Sequence, residues 1–266
     1  MEEPSRLAQL AREIAEEAGR LLVEGRPGDL GVERTKSSPT DVVTEMDTAA
    51  ERLIRRRIAE ARPDDGFLGE EGGGQPGTSG YTWVVDPIDG TVNYLYDLPA
   101  WAVSIGVERD GAAVAGAVAA PRLGEVYTAW LGGGAWRNGA PISVGPGPEL
   151  AGALVATGFG YAAARRARQG EIVARLLPRV RDIRRGGSAA LDLCSVACGR
   201  VDGYFERGTH SWDRSAGGLV ATEAGAVVAG FRGAAASEAM SMAAPAATFA
   251  LLHDALVELG ADQADY

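Results

Sequence analysis

Residues 83–93 have the sequence WVVDPIDGTVN, and this stretch decides how the rest of the chain is interpreted. The apolar run predicts a short buried strand, and the proline and glycine predict a turn directly after it. Asp86 and Asp89 are thereby held close together, and they repel each other unless a cation lies between them or one is protonated. Oxygen ligands of this kind favour Mg²⁺ or Mn²⁺ over zinc. The stretch predicts a divalent-cation site, with a plain turn as the alternative.

Three further acids stand where predicted elements begin or end. Glu70 closes a short apolar run, Asp47 falls in the first turn of a predicted helix, and Asp213 precedes another helix. Taken singly, they are typical of a solvated corner, a first-turn acid and a helix N-cap. Catalytic groups tend to be displayed at such ends, so the conjunction favours a functional interpretation.

The composition is ordinary for a folded chain and acidic overall. Of 266 residues, 46% are hydrophobic and 23% charged, which excludes a disordered chain, a collagen-like repeat and a coiled coil. The net charge of −10 argues against nucleic acid as the default partner. No run of about 18 apolar residues predicts a membrane span, and the acidic N-terminus does not resemble a secretory signal. We therefore expect a cytoplasmic protein, with Cys194 and Cys198 as reduced helix-packing residues.

The order of predicted elements indicates a chain of mixed α and β structure. Helices are predicted near 7–21, 44–58, 162–177, 188–198, 214–224 and 246–259, and strands near 83–86, 103–107, 113–118, 125–130, 153–157, 204–206 and 226–229. Asn138 and Gly139 predict a type I′ hairpin turn, and the glycine-rich residues 72–80 predict a flexible surface loop. The Pro- and Gly-rich segment 145–148 is the predicted boundary between two halves, 1–145 and 146–266, of one compact unit.

Two long motifs resemble the signatures of the inositol monophosphatase family. The segments that carry this resemblance are GEE at 69–71, DPIDGTVN at 86–93 and WDRSAG at 212–217, supported by Lys36, DVVTEMD at 41–47, GSAALD at 187–192 and VDGYFE at 201–206. They occur in order over essentially the whole chain. The chain is therefore identified as a member of this family.

The resemblance implies an α+β fold, the layered αβαβα sandwich shared with fructose-bisphosphatase, usually as a homodimer. It implies a lithium-sensitive phosphatase that binds two to three Mg²⁺ ions, with Mn²⁺ as the alternative. The implied metal ligands are Glu70, Asp86, Asp89, Asp213 and the main-chain carbonyl of Ile88. The implied catalytic residues are Thr91 and Asp47, which would activate a metal-bound water, with Glu70 in support. The implied substrate contacts are Asp89, Gly90, Thr91, Gly187, Ser188, Ala189, Glu206 and Asp213.

The substrate is expected to be a small phosphate monoester, most closely myo-inositol 1-phosphate. Residues 91–94 and 188–190 and Glu206 resemble the inositol monophosphatase branch. Alternatives within the family are histidinol phosphate, fructose 1,6-bisphosphate, NADP and 3′-phosphoadenosine 5′-phosphate. A nucleotide would need additional aromatic or basic contacts, which the sequence does not clearly place. Asp97, where relatives commonly carry Gly, weakly disfavours a second phosphate.

Three other interpretations of the sequence compete with this one. A phospho-aspartate phosphatase needs D-x-D-G-T, whereas here the acids are three apart, and on an extended strand such residues face opposite sides. Residues 158–163 match the dinucleotide motif G-x-G-x-x-A, with Asp182 downstream, but no βαβ unit precedes them, so a structural turn is favoured. His210 and His253 are interpreted as packing or surface residues. A second role as a binding partner of the transcription machinery, found in some bacterial members, stays open.

Overall fold

The computed structural model describes residues 3–36 and 42–263, which form seven helices and fifteen strands. The helices are α1 (Glu3–Glu24), α2 (Glu45–Ala61), α3 (Thr91–Leu95), α4 (Ala163–Leu176), α5 (Ala189–Ala197), α6 (Ser211–Glu223) and α7 (Ala246–Glu258). The strands are β1 (Arg34–Thr35), β2 (Val42–Val43), β3 (Gly66–Gly69), β4 (Gly73–Gln75), β5 (Tyr81–Asp89), β6 (Ala102–Arg109), β7 (Ala112–Ala120), β8 (Glu125–Trp130), β9 (Ala135–Arg137), β10 (Ala140–Ile142), β11 (Leu154–Thr157), β12 (Asp182–Arg184), β13 (Gly203–Glu206), β14 (Val227–Ala229) and β15 (Ser241–Ala244). Among these residues, no helix is long and apolar enough to cross a bilayer.

The fold is built on two large β-sheets. The larger has eight strands in the order β10-β9-β8-β7-β6-β5-β3-β4, antiparallel except where β3 runs parallel to β5. The smaller has five strands in the order β12-β11-β13-β15-β14, and β11 lies parallel to both of its neighbours. Strands β1 and β2 form a separate short pair.

The hydrophobic core divides into three clusters that define five layers. Leu7, Ile14 and Leu22 recur at helical spacing on α1, and they pack with α2 against one face of the larger sheet. A second cluster joins α5 and α6 to both sheets, and a third joins α4 and α7 to the outer face of the smaller sheet. The predicted layered αβαβα sandwich is thereby confirmed.

Small residues let α6 lie close to the larger sheet. A Cβ added at Gly106 of β6 would overlap the Ser215 side chain, and one added at Gly116 of β7 would lie 3.1 Å from the Cα of Ala216. Side chains larger than hydrogen at these strand positions would push the helix away. This close packing fixes the N-terminal end of α6, where Asp213 lies, relative to the end of β5.

The structure differs from the sequence-based predictions in one loop. Residues 72–80, predicted to be a flexible loop, contain β4, which pairs with β3. The backbone N–H groups of Thr78 and Ser79 both donate to the carbonyl of Asp64, at 2.8 and 3.1 Å. Backbone pairing, which composition does not reveal, therefore orders this segment.

Other sequence predictions fall on turns and boundaries. Asn138 and Gly139 both have positive φ angles, 50° and 78°, as the predicted type I′ turn requires. The division into halves at 145–148 stays a prediction. Asp41, the first residue of the motif at 41–47, and residues 37–40 before it lie outside the described residues.

Candidate active site

An interruption in β5 brings the two central aspartates to the same side of the sheet. The pairing of β5 with β6 is in register as far as Asp86 and shifts before Asp89. Pro87, which has no N–H to donate, lies within the shift, and Asp86 Oδ1 accepts the Ile88 N–H at 2.9 Å. Ligand oxygens of Asp86, Asp89 and Asp213 lie within 4.8 Å of one another. The alternating faces of an ideal strand would have separated the first two, and the bulge explains why they meet.

The carboxylate of Asp89 is held by the start of α5. Ser188 donates its hydroxyl to Asp89 Oδ2 at 2.6 Å, and the Ala190 N–H donates to the same oxygen at 2.7 Å. The Ala189 N–H lies 3.3 Å from Oδ1. Because α5 belongs to the second half of the chain, these bonds tie the end of β5 to it.

Two glycines allow this close approach. Gly90 and Gly187 have φ angles of 99° and 92°, which side chains with a Cβ rarely adopt. A Cβ at Gly90 would also lie 3.0 Å from the carbonyl oxygen of Gly187. Asn93 adds a further tie, because its Nδ2 donates to the carbonyls of Ala100 and Gly186.

Asp213 is contributed by the first turn of α6. The helix begins earlier than predicted, with His210 as its N-cap, so Asp213 is the third helical residue and the N-cap interpretation is wrong. Its Oδ2 accepts the backbone N–H of His210 at 2.6 Å. The ring of His210 stacks on Trp212, and both residues line the cleft described below.

Thr91 connects the site to a buried acid on α2. Its Oγ lies 3.0 Å from Asp47 Oδ1 and 3.1 Å from the carbonyl oxygen of Ile88. Asp47 is fully buried, and its other oxygen accepts both the N–H and the hydroxyl of Thr44, the residue that caps α2. Burial raises the pKa of Asp47 to about 7, although the Thr44 hydrogen bonds oppose the shift.

Glu70 lies on the turn after β3 and forms an ion pair with Lys36. Lys36 Nζ lies 2.7 Å from Glu70 Oε1 and 2.6 Å from Glu71 Oε1. Burial of the ammonium group opposes its charge, but the two glutamates raise the pKa of Lys36 above its usual range. The buried carboxylate of Glu51, on α2, accepts the Glu71 N–H at 2.8 Å and so fixes the turn.

Eleven of the twelve predicted site residues line one cleft of about 480 Å³. They are Glu70, Asp86, Ile88, Asp89, Gly90, Thr91, Gly187, Ser188, Ala189, Glu206 and Asp213. Asp47 contacts this group through Thr91. The structure therefore brings the predicted residues together, while their individual roles stay predictions.

The part of the cleft that the predicted residues do not line corrects two expectations about the substrate. Phe159, Tyr161, Arg165 and Arg185 line it, so the second half does supply aromatic and basic residues. Asp97 is not among the lining residues, and its Oδ1 lies 3.1 Å from Arg122 Nη1. Its φ of 57° is a backbone conformation that glycine adopts without strain. The structure therefore gives no support to the argument against a second phosphate, which rested on Asp97.

Other lining residues received no role from the sequence. Lys36 and Trp212 belong to the segments that carry the family resemblance, but the resemblance implies no role for either side chain. Thr209 had no sequence signal at all. Arg165 could have been suspected, because it follows a glycine-rich turn between a predicted strand and a predicted helix.

The electrostatics of the acidic cluster fit a bound cation. Burial and the neighbouring carboxylates raise the pKa values of Asp86 and Asp213 well above the ordinary range. Burial also raises the pKa of Asp89 to about 6, against its hydrogen bonds from α5. A divalent cation between these oxygens would favour their charged forms, and a donor set made only of oxygen suits a hard cation. The residues present therefore fit the metal that the resemblance implies.

A layered α/β fold with converging acids at a cleft is compatible with a metal-dependent phosphatase, and comparison with known proteins points to the same class. The model of the inositol monophosphatase family matches residues 3–260. The inositol-1-monophosphatase SuhB of Mycobacterium tuberculosis (strain H37Rv) is 49% identical over 245 residues, covering 85% of this chain and 84% of that protein. The Nus factor SuhB of Escherichia coli K12 is 39% identical over 229 residues, covering 85% and 86%. The solved structure of Mycobacterium tuberculosis SuhB has a TM-score of 0.84 and 42% identity, covering 99% and 100%.

The chain belongs to the inositol monophosphatase family. It is a hydrolase of the phosphatase class.

Proposed function

We propose that the protein is a Mg²⁺-dependent phosphomonoesterase that hydrolyses inositol monophosphate, with myo-inositol 1-phosphate as the reference substrate. The observation that carries the proposal is the convergence of ligand oxygens of Asp86, Asp89 and Asp213 within 4.8 Å of one another in the lining of a cleft. The names of the relatives support the choice of substrate.

The acids would hold the cations that phosphate-ester hydrolysis needs. Asp86, Asp89, Asp213, Glu70 and the Ile88 carbonyl are the proposed ligands. Bound Mg²⁺ would neutralise the phosphate, lower the pKa of a water molecule and stabilise the departing alkoxide. Lys36 Nζ also lies 2.6 Å from Glu71 Oε1. For Glu70 to bind a cation, Lys36 must keep its contact with Glu71 and give up its contact with Glu70.

Thr91 and Asp47 would orient the attacking water and receive its proton. Thr91 has one hydroxyl proton, and when it donates this proton to Asp47, its lone pairs are free to accept a hydrogen bond from water. Asp47, with a pKa of about 7, can take up a proton near neutral pH. The backbone amides of Gly90 and Thr91 are the proposed phosphate contacts.

The remaining predicted residues would contact the alcohol part of the substrate. Ser188 and Ala189 line the cleft beside Asp89, and Glu206 also lines it. Burial raises the pKa of Glu206 to about 7, although the hydroxyl of Tyr204 donates to it. A carboxylate or carboxylic acid there can accept or donate hydrogen bonds to substrate hydroxyls.

Phosphate release from a panel of esters tests the proposal. The panel contains myo-inositol 1-phosphate, histidinol phosphate, fructose 1,6-bisphosphate, NADP and 3′-phosphoadenosine 5′-phosphate, each with Mg²⁺ and with excess EDTA. We expect turnover that EDTA abolishes and a kcat/KM that is high for inositol 1-phosphate. Preference for another ester would reject the substrate and keep the metal site. No Mg²⁺-dependent release from any ester would reject the function.

A second candidate role is binding to the transcription machinery. It is favoured by the relatives in Escherichia coli and Pasteurella multocida, whose name is Nus factor SuhB. Affinity capture of RNA polymerase by both the wild-type chain and a catalytically inactive variant would support this role. Failure of both to capture polymerase would reject it.

Membership of the family also supports proposals about the location, the oligomeric state and the lithium sensitivity of the protein. We propose that it is a cytoplasmic homodimer inhibited by lithium. Light scattering gives the oligomeric state, and phosphate release with added Li⁺ gives the sensitivity. A monomer, or activity unaffected by lithium, would reject the corresponding proposal.

A further inference from the structure

The connection between β14 and β15 contacts a residue that lines the cleft. We call this connection, residues 230–240, the strap. The N–H of Gly208 donates to the carbonyl oxygen of Glu238 at 2.8 Å, and Gly208 lines the cleft. Glu238 Oε1 also lies 3.1 Å from His210 Nδ1. The strap is therefore bonded to the lining of the cleft through Glu238.

Near its other end, the strap is bonded to a histidine on α7. The backbone N–H of Arg232 donates to Nε2 of His253 at 3.1 Å. Nδ1 of the same ring lies 2.9 Å from Oδ1 of Asp254. Because Nε2 accepts a hydrogen bond, it carries no proton, so the neutral ring is protonated at Nδ1 and donates to Asp254. The bond to Arg232 therefore requires a neutral His253.

The turn that His253 holds is strained. Arg232 has a φ of 56°, a left-handed conformation that residues with a Cβ adopt only at a cost in free energy. The rings of Phe231 and Phe249 pack against the imidazole, with centroids 5.7 and 6.4 Å away, and keep Nε2 directed at the turn. The hydrogen bond from Arg232 offsets part of the strain, so its loss would favour relaxation of the turn.

The charged groups around His253 do not replace this bond. Asp254, on α7 itself, accepts the Nδ1–H in both charge states of the ring. Across the turn, the guanidinium of Arg232 pairs with the carboxylate of Asp262, so its charge is balanced. Protonation of Nε2 turns the acceptor into a donor that faces the Arg232 N–H, and two donors cannot bond to each other.

Hydrogen bonds within the strap connect the Arg232 turn to Glu238. The N–H of Gly230 donates to the carbonyl of Ala234 at 2.8 Å, and the N–H of Ser237 donates to the carbonyl of Met240 at 3.0 Å. The strap is thus a short, internally bonded segment. We expect a displacement of the turn to reach Glu238.

We propose that His253 is a pH-sensitive switch for the strap: the neutral ring holds the turn at Arg232, and the protonated ring releases it and weakens the bond between Glu238 and Gly208. Histidine ordinarily gains its charge between about pH 8 and pH 5. Acidification therefore loosens one part of the cleft lining from a distance. The inference does not depend on the reaction that the cleft supports.

Amide hydrogen exchange at pH 8 and pH 5, with Mg²⁺ present and with correction for the intrinsic pH dependence of exchange, tests the switch. In the wild-type protein, protection of the Arg232 N–H should fall about fivefold at pH 5, the loss expected for one hydrogen bond to a neutral acceptor. Protection of the Gly208 N–H should fall with it. Equal protection of Arg232 at both pH values would overturn the switch.

Two substitutions fix the hydrogen-bonding state of position 253. Glutamine can place its amide oxygen near the position of Nε2 and accept from Arg232 at either pH, so His253→Gln should keep protection at both. Lysine is charged at both pH values and cannot accept, so His253→Lys should show weak protection at both. If the lysine variant does not fold, the comparison of wild type with His253→Gln decides.

The glutamine variant also separates the switch from other titrations. Glu206 lies near Gly208 in the chain and has a pKa of about 7, raised by burial, so it can alter exchange at Gly208 by itself. His253→Gln leaves Glu206 in place. A pH effect at Gly208 that persists in this variant, or release confined to Arg232 in the wild type, would overturn the link to the cleft. The measurement involves no phosphate release, so its result is independent of the proposed function.

Discussion

A substitution at Asp89 is expected to lower activity without lowering stability. Its carboxylate accepts hydrogen bonds from Ser188 and Ala190, and it faces two other buried acids. Asparagine keeps the shape and one accepting oxygen but loses the charge that a cation requires. We expect Asp89→Asn to lower kcat by two orders of magnitude or more, because metal assistance is worth several kcal/mol.

The same change relieves repulsion among the acids in the absence of metal. We therefore expect the thermal midpoint of Asp89→Asn in EDTA to equal or exceed that of the wild type. Asp110→Asn, in an exposed turn with a φ of 53° that asparagine tolerates, is the control for the loss of one charge. Near-normal turnover by Asp89→Asn would reject the metal role of this residue.

At the scale of residues, the sequence predicted the acids better than their geometry. The turn predicted from the proline and glycine holds Asp86 and Asp89 close together, whereas the structure continues β5 through both residues with a bulge between them. The bulge that joins them depends on pairing with β6, which no local pattern encodes. The sequence did not predict that Arg165 lines the cleft, because a single exposed arginine on a helix is usually a solvated surface residue.

Among the secondary-structure elements, the turn after β3 depends most on its glycines. A Cβ at Gly69 would overlap the Glu51 carboxylate and the Phe67 ring, and so would disturb the turn that carries Glu70. We expect Gly69→Ala to destabilise the fold by about 1–3 kcal/mol, as overpacking does, and to raise the Mg²⁺ concentration needed for half-maximal activity. Thermal unfolding and a Mg²⁺ titration of phosphate release measure the two effects.

A second glycine in the next strand provides the control. A Cβ at Gly74 would lie 3.6 Å from the nearest side-chain atom, an ordinary contact distance. Gly74→Ala should therefore leave both the thermal midpoint and the Mg²⁺ dependence close to those of the wild type. If the two variants behave alike, the contact with Glu51 does not position Glu70.

Long periodic elements were predicted well, and short ones were not. The spacing of Leu7, Ile14 and Leu21 predicted α1, and Thr44 marked the start of α2. Strands β12 and β15 have only three and four residues, and they exist because neighbouring strands pair with them. The five-residue helix α3 likewise depends on the positive φ of Gly90.

For the molecule as a whole, the buried acids link stability to pH and to metal. Asp89 has a folded pKa of about 6 and Asp47 one of about 7, both above their ordinary value of 3.8. An acid whose pKa rises on folding stabilises the native state below its unfolded pKa, and this contribution is lost as pH rises through the folded pKa. The metal-free protein should therefore lose stability between about pH 4 and 7.

Mg²⁺ should restore this stability, because a cation favours the charged carboxylates. We expect the thermal midpoint to rise more on Mg²⁺ addition at pH 8 than at pH 5, with EDTA-treated protein as the reference. Asp65 and Glu125, whose pKa values are lowered overall by Arg62 and Arg200 respectively, act in the opposite direction at acid pH. A Mg²⁺ effect of equal size at both pH values would contradict the linkage.

The position of Asp213 has a consequence for how activity arises during synthesis. Glu70, Asp86 and Asp89 are encoded in the first third of the chain, whereas Asp213 and the α5 groups that anchor Asp89 come much later. A nascent chain that ends before α6 therefore lacks one side of the proposed metal cage. The proposed site forms only when nearly the whole polypeptide has left the ribosome. We therefore expect translation products that end before α6 to carry the signature motif without hydrolysing phosphate esters.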